Sequence, residues 1–91
     1  GKTAFITGAA VGIGRAFARA LTARGASVVI AEIDGEGARR AADELTAAGA
    51  QVIAVPCDVA DDRQVEAAVA TSIERFGGID ILINNAARHL M

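Results

Sequence analysis

The sequence has few aromatic residues, one cysteine and no cluster of basic residues. Three phenylalanines are its only aromatic side chains, which favours a helix-covered parallel sheet over an aromatic-rich sandwich. The lone Cys57 cannot form an internal disulfide. Lysine and arginine are scattered and the formal net charge is -2, so nothing resembles a nucleic-acid-binding stripe. Since neither a leader nor a long apolar span precedes the first strand, we expect a cytoplasmic protein without a membrane contact.

Short runs of β-branched residues alternate with longer segments of helical period along the chain. The predicted strands are residues 3–7, 27–31, 51–56 and 79–84. The length of 91 residues allows one domain at most. Because crossovers between parallel strands are almost always right-handed, we predict an α/β fold of the Rossmann type, a three-layer sandwich with sheet order 3-2-1-4.

The first predicted helix begins at Gly12, has Arg15 and Arg19 pointing away from its apolar face, and is stopped by Gly25. Its apolar face consists of Ile13, Ala16, Phe17, Ala20 and Leu21. The second predicted helix covers residues 35–48 and is terminated by Gly49. Its inward residues are Ala38, Ala41, Ala42, Leu45 and Ala48. This alanine-rich face implies a close approach to the sheet.

The third predicted helix has Asp61 as its N-cap, followed three residues later by Gln64, and ends at Gly77 and Gly78. Its apolar stripe consists of Val65, Ala68, Val69, Ser72, Ile73 and Phe76. The predicted topology puts two helices on one face of the sheet and only the third on the other. A parallel sheet needs both faces covered, so we expect a further helix after the fourth strand.

A glycine-rich segment, TGAAVGIG at residues 7–14, joins the first strand to the first helix. Glycines let the turn reverse tightly and let backbone N–H groups at the helix start approach a pyrophosphate, where the helix dipole adds roughly 0.3–1 kcal/mol. A side chain on Gly12 or Gly14 would obstruct that approach. The same glycines also suit a tight connection in a domain that binds nothing, but the flanking strand and helix favour a phosphate site.

Glu32 follows the second predicted strand, at the place where dinucleotide-binding proteins hold the adenosine ribose. A carboxylate there accepts hydrogen bonds from the ribose hydroxyls, each worth about 1.5–3 kcal/mol, and repels a 2′-phosphate. Neither Val11 nor Ile33 is basic, so no cation is placed nearby to neutralise that phosphate. We therefore predict NAD in preference to NADP. Asp34 is a rival for this role, and an ordinary solvated acid is the alternative interpretation of Glu32.

Two polar segments follow the third and fourth strands at the same edge. Asp58, in Cys57-Asp58-Val59, has a carboxylate able to accept a hydrogen bond from the adenine amino group. The segment from Asn84 to Ala87 provides amide side chains that tie neighbouring loops together. Each segment taken alone is more often simple turn chemistry.

Together these segments resemble the classical short-chain dehydrogenase/reductase family, whose T-G-x-x-x-G-x-G, acidic strand-two end, D-V and N-N-A-G elements occur here in order. The resemblance covers essentially the whole chain, so residues 1–91 are expected to be the N-terminal part of one NAD(P)-binding Rossmann domain. It implies pyrophosphate contacts by Gly8, Gly12, Ile13 and Gly14, a ribose contact by Glu32, adenine contacts by Asp58 and Val59, and a nicotinamide-side ribose contact by Asn85 with Ala86. Val11, Ile33 and Ala87 complete the predicted cofactor-binding set.

Two features of the chain depart from the family pattern. Ala87 stands where the family usually has glycine, and its methyl group restricts the backbone near the nicotinamide. Members of the family use a Ser, a Tyr and a Lys for proton transfer, and the chain contains no tyrosine. The resemblance places those residues beyond the equivalent of residue 91, so no catalytic residue is assigned. Asn84 is expected to be structural.

The resemblance implies an NAD-dependent oxidoreductase that interconverts an alcohol and a carbonyl and is commonly a tetramer. A dinucleotide-binding sensor without the proton-relay residues is the main alternative. An S-adenosylmethionine-dependent methyltransferase is a weaker one, because the Asn-Asn-Ala segment argues against it. His89 is expected in a solvent-exposed tail, Cys57 is expected to be a small buried hydrophobe, and no metal site can be assembled.

Overall fold

A computed structural model of the chain describes residues 1–8 and 12–84. In chain order the elements are β1 (Thr3–Thr7), α1 (Gly12–Ala23), β2 (Ser27–Glu32), α2 (Gly35–Ala47), β3 (Val52–Pro56), α3 (Asp62–Phe76) and β4 (Ile81–Asn84). The strands form one parallel sheet in the order β3-β2-β1-β4. The predicted α/β fold and strand order are confirmed, with strand ends that differ by one or two residues from those predicted.

Side chains of the sheet alternate between two apolar clusters, because consecutive residues of a strand point to opposite faces. Ile6 and Ile30 lie in the cluster that contains the buried residues of α1 and α2. Phe5 and Val29 lie in the opposite cluster, against α3. Two helices therefore cover one face and one helix covers the other, as predicted.

The α3 face of the sheet is incompletely covered within the described part of the chain. Leu82 of β4 pairs with Phe5 of β1 and so shares its face of the sheet. Phe5 is buried, whereas Leu82 is 69% exposed. The uncovered area lies over β4, and the further helix predicted after the fourth strand lies outside the described residues.

The apolar face predicted for α1 is not the face that packs on the sheet. The exposed residues of that predicted face are Ile13, Ala16, Phe17 and Ala20. The buried residues of α1 are Gly14 and Ala18, and Leu21 packs against the same cluster. Arg15, predicted to point away, has a side chain only 31% exposed. Because glycine and alanine have little or no side chain, they let the backbone of α1 lie close to the strands.

The inward face of α2 is confirmed except at its end. Ala38, Ala41, Ala42 and Leu45 are buried, whereas Ala48 is exposed and caps the helix. In α3 the stripe is confirmed at Ala68 and Ser72, which are buried. Ile73 is 51% exposed and does not belong to it. Gly77 ends α3: its N–H still donates to the carbonyl of Ile73 at 2.7 Å, and its left-handed backbone then turns the chain out of the helix.

Candidate functional site

The carboxyl ends of the four parallel strands lie along one edge of the sheet. Thr7 of β1 pairs with Ala31 of β2 and with Asn84 of β4, and Glu32 pairs with Pro56 of β3. The strand order reverses at β1, where the chain runs to β2 on one side and β4 lies on the other. In open α/β sheets, ligands bind outside the carboxyl ends of the strands at such a reversal.

The glycine segment meets this edge directly after β1. Gly8 and Gly12 have φ angles of 68° and 66°, a region that other residues rarely adopt. The N–H of Gly8 donates to the carbonyl of Ala31 at 3.2 Å, which holds the start of the segment against β2. A Cβ added to Gly12 would meet no described atom within 4 Å. Glycine is therefore required at position 12 by its backbone angle, and no described atom outside its own chain neighbourhood fills the space beside it.

The two candidate acids at the end of β2 have different partners. Glu32 is half-buried, and its Oε2 accepts a hydrogen bond from the backbone N–H of Asp34 at 3.1 Å. The carboxylate of Asp34 is the N-cap of α2 and accepts from the N–H of Gly37 at 3.0 Å. Because Asp34 is engaged in capping, Glu32 is the better candidate for a ribose contact. Ile33 between them is 61% exposed.

The connection from β3 to α3 brings Asp58 to the same edge. The N–H of Cys57 donates to the carbonyl of Glu32 at 2.9 Å, so the connection starts against β2. Asp58 Oδ1 accepts from the N–H of Ala60 at 3.0 Å, and its carbonyl accepts from the N–H of Asp61 at 2.9 Å. Asp58 and Val59 are both half-buried.

Cys57 is the first residue of this connection, and its side chain is buried. Burial, and then the nearby carboxylates of Asp58 and Asp61, raise the pKa of its thiol above the ordinary value of 9.0. The thiol is therefore protonated and weakly nucleophilic at neutral pH. This agrees with the predicted role of a small buried hydrophobe.

A small cavity lies on the α3 side of the edge, between β1, β4 and the β3–α3 connection. Its volume is about 190 Å³, and its walls include Cys57, Val59, Leu82 and Asn84. Pockets that enclose small-molecule ligands usually measure roughly 300–1,000 Å³. This cavity is therefore too small to enclose a whole dinucleotide, which in folds of this kind binds outside the carboxyl ends of the strands.

Asn84 and Thr7 join β4 to β1 at the point of reversal. The hydroxyl of Thr7 donates to Oδ1 of Asn84 at 3.1 Å. This contact supports the predicted structural role of Asn84. Val11 in the glycine segment and residues 85–87 after β4, which are also predicted to contact the cofactor, lie outside the described residues. His89 lies outside them as well.

Sequence reasoning missed a contact made by Gln64. In a capping box, the residue three positions after the N-cap accepts from the backbone N–H of the N-cap itself. Here the N–H of Asp61 is taken by the carbonyl of Asp58, and Gln64 accepts instead from the N–H of Asp58 at 2.8 Å. The spacing of Asp61 and Gln64 in the sequence predicts the helix cap but not the hydrogen bond between Gln64 and the N–H of Asp58. The path of the β3–α3 connection decides which N–H faces Gln64.

The described residues hold neither a membrane-spanning helix nor a metal-binding cluster. Within residues 1–8 and 12–84, no helix has the length and apolar character needed to cross a membrane. Over the same residues, no three side chains of His, Cys, Asp or Glu are grouped so as to hold a metal ion.

The fold, with its glycine segment at the point of reversal and acidic residues at the ends of β2 and β3, is that of a Rossmann-type nucleotide-binding domain. A family profile described as short chain dehydrogenase matches residues 2–91. The chain belongs to this family.

Named relatives extend the comparison. A sorbitol dehydrogenase of Cereibacter sphaeroides is 51% identical over 87 residues, which are 96% of this chain and 33% of the relative. A Burkholderia phymatum short chain dehydrogenase/reductase crystallised with NAD has a TM-score of 0.88 at 44% identity, over 90% of this chain and 29% of that one. A 7α-hydroxysteroid dehydrogenase complexed with NADH and 7-oxo glycochenodeoxycholic acid has a TM-score of 0.93 at 39% identity, over 97% of this chain and 34% of that one. The chain thus spans about a third of the length of these relatives.

Proposed function

We propose that the protein carrying this sequence is an NAD-dependent oxidoreductase that interconverts an alcohol and a carbonyl, and that these residues form the adenosine side of its cofactor site. The observation that carries the proposal is the meeting of Gly8, Gly12, Glu32 and Asp58 at one sheet edge, beside the reversal of strand order. The dehydrogenase relatives, and the NAD and NADH held by two solved structures, support it.

The described residues fit a dinucleotide. The open space beside Gly12 and the N–H groups of the first turn of α1 suit a pyrophosphate. The proposed contacts are Gly8, Val11, Gly12, Ile13 and Gly14 for the pyrophosphate side, Glu32 and Ile33 for the ribose, Asp58 and Val59 for adenine, and Asn85, Ala86 and Ala87 for the nicotinamide side. A bound nicotinamide cofactor would supply the hydride chemistry, accepting hydride as NAD or donating it as NADH, and these residues would bind and orient it.

The substrate is not specified by this part of the protein. Relatives named for sorbitol and for a hydroxysteroid both match nearly all of the chain. Their substrates differ greatly in size and polarity, so the match over these residues does not identify a substrate. A tetramer and a cytoplasmic location remain proposals that follow from the family resemblance and from the composition.

The proposal is tested by calorimetric titration of the full gene product with NAD and NADH, followed by assays of NAD-dependent oxidation over a panel of polyols, steroids and simple secondary alcohols. We expect binding of both forms of the cofactor and oxidation of at least one alcohol. Absence of binding by the folded protein would refute the cofactor site. Tight binding without turnover on any substrate, together with no Ser and Tyr-x-x-x-Lys in the full sequence, would instead favour a sensor.

Preference for NAD over NADP is proposed to depend on Glu32. Replacing Glu32→Ser removes the charge that repels the 2′-phosphate of NADP and the carboxylate that accepts from the ribose hydroxyls of NAD. One such charged hydrogen bond is worth about 1.5–3 kcal/mol, so we expect the ratio of NADP affinity to NAD affinity to rise by about tenfold or more. Asp34→Ser is the matched control, because serine also caps helices and the same charge is lost two residues away. An equal rise in both variants would show that overall charge, and not Glu32 itself, sets the preference.

A further inference from the structure

Gln64 links the first turn of α3 to the residue that leaves β3. Its Oε1 accepts from the N–H of Asp58 at 2.8 Å, and its Nε2 donates to Oδ2 of Asp61 at 3.3 Å. Both contacts require the same orientation of the amide. A reversed amide would place Nε2 against an N–H donor and Oε1 against a carboxylate. The two contacts therefore lock the side chain in one orientation.

These contacts fix the backbone of Asp58 from the α3 side. The preceding residue, Cys57, is held to the sheet through its N–H bond to the carbonyl of Glu32 at 2.9 Å. The following turn is closed by Asp58 itself, through Ala60 and Asp61. The N–H of Asp58 lies between these two restraints, and Gln64 is the side chain that accepts from it. Loss of that acceptor would free the peptide before Asp58 to rotate, and the carboxylate would move with it.

We propose that Gln64 is a positioning residue for adenine recognition: it holds Asp58 where its carboxylate accepts from the amino group of the adenine ring. The inference rests on the proposed function, since it assumes that Asp58 faces adenine. Gln64 itself does not need to touch the cofactor. Its effect is specific to the amino group, because the pyrophosphate and ribose contacts are made by other connections of the sheet.

A deaminated cofactor isolates this effect. Nicotinamide hypoxanthine dinucleotide carries a carbonyl oxygen where NAD carries the amino group, so it cannot donate there to a carboxylate. We expect the wild-type protein to bind NAD more tightly than this analogue. The ratio of the two dissociation constants then measures how well Asp58 is placed. A general loss of folding weakens the binding of both ligands alike and leaves this ratio unchanged.

The experiment compares Gln64→Met and Gln64→Glu in the full gene product by calorimetric titration with NAD and with the hypoxanthine analogue. Methionine keeps the length of the side chain and the helix propensity of the site but removes both contacts. Glutamate keeps an oxygen that accepts from the N–H of Asp58 and loses only the contact with Asp61, where its second oxygen faces a like charge at an exposed and therefore well-screened position. We expect Gln64→Met to lower the preference for NAD by about two- to tenfold, in the range of one lost hydrogen bond. We expect Gln64→Glu to retain at least half of the wild-type preference.

Gln51→Met is the matched control, because Gln51 is at the opposite end of the sheet and, within the described residues, its side chain only accepts a hydrogen bond from the hydroxyl of Ser27 at 3.4 Å. It should leave the preference unchanged. Two results would overturn the inference while leaving NAD binding intact. One is a preference for NAD that stays at the wild-type level in Gln64→Met. The other is a preference that Gln64→Glu loses as fully as Gln64→Met does. If the wild-type protein binds neither ligand, the proposed function itself fails.

Discussion

At the scale of single residues, Gly12 and Gly77 share one backbone constraint but differ in what lies beside them. Gly12 and Gly77 both have positive φ angles, 66° and 86°, and a Cβ added to either meets no described atom within 4 Å. Gly77 ends α3. Gly12 begins α1 beside the proposed pyrophosphate position. The two residues therefore share a backbone requirement, and only one of them has a proposed ligand.

This difference makes a matched pair of substitutions. Gly12→Ala and Gly77→Ala should each lower the free energy of unfolding by about 1–2 kcal/mol, the cost of a left-handed backbone for an L-residue. Only Gly12→Ala should also weaken the binding of NAD, because its new methyl group occupies the space proposed for the pyrophosphate. Urea unfolding and calorimetric titration measure the two effects separately. Equal NAD affinities in the two variants would remove Gly12 from the proposed site.

At the scale of elements, the sequence predicts the helices and strands well but not every helix face. In α2 the buried residues follow a single alanine stripe, because charged residues occupy the opposite side. In α1 apolar residues occupy two adjoining faces, so periodicity alone does not show which one meets the sheet. The small residues Gly14 and Ala18 decide it by permitting close approach, and that depends on tertiary packing.

The candidate site shows the same division. Glu32 and Asp58 are predictable because strand ends meet at one edge of a parallel sheet. The distinction between Glu32 and Asp34 becomes clear only when the cap of α2 is seen. The contact of Gln64 with Asp58 depends on the path of the connection, which no residue pattern encodes.

Close packing of α2 on the sheet predicts strong sensitivity to side-chain size. Ala38 is fully buried, whereas Ala47 in the same helix is exposed. Ala38→Leu should lower the free energy of unfolding by about 1–3 kcal/mol, because extra methylene groups force the helix away from the strands. Ala47→Leu adds the same atoms at the surface and should change it by less than about 0.5 kcal/mol. Similar unfolding midpoints in urea for both variants would show that α2 is not packed as described.

At the scale of the whole molecule, Cys57 connects the core to the proposed site. It belongs to the apolar cluster between the sheet and α3, and it immediately precedes Asp58 in the β3–α3 connection, which contributes to the proposed cofactor site. It is 2% exposed, so a thiol reagent reaches it only when the molecule opens. Its raised pKa keeps the folded-state thiol protonated and unreactive at neutral pH. The rate of its alkylation therefore reports how often the structure around the site opens.

Bound NAD should suppress that opening. A ligand at 100 times its dissociation constant stabilises the binding-competent state by about 2.7 kcal/mol, so alkylation of Cys57 should slow by about a hundredfold at a fixed pH of about 7.5. The measurement uses the full gene product with any cysteine outside these residues changed to serine. Ala47→Cys in a Cys57→Ala background is the control, since a thiol at that exposed position reacts without opening and its rate should not respond to NAD. If calorimetry shows NAD binding and yet Cys57 reacts at an unchanged rate, the β3–α3 connection opens independently of the cofactor, and Asp58 cannot be one of its firm contacts.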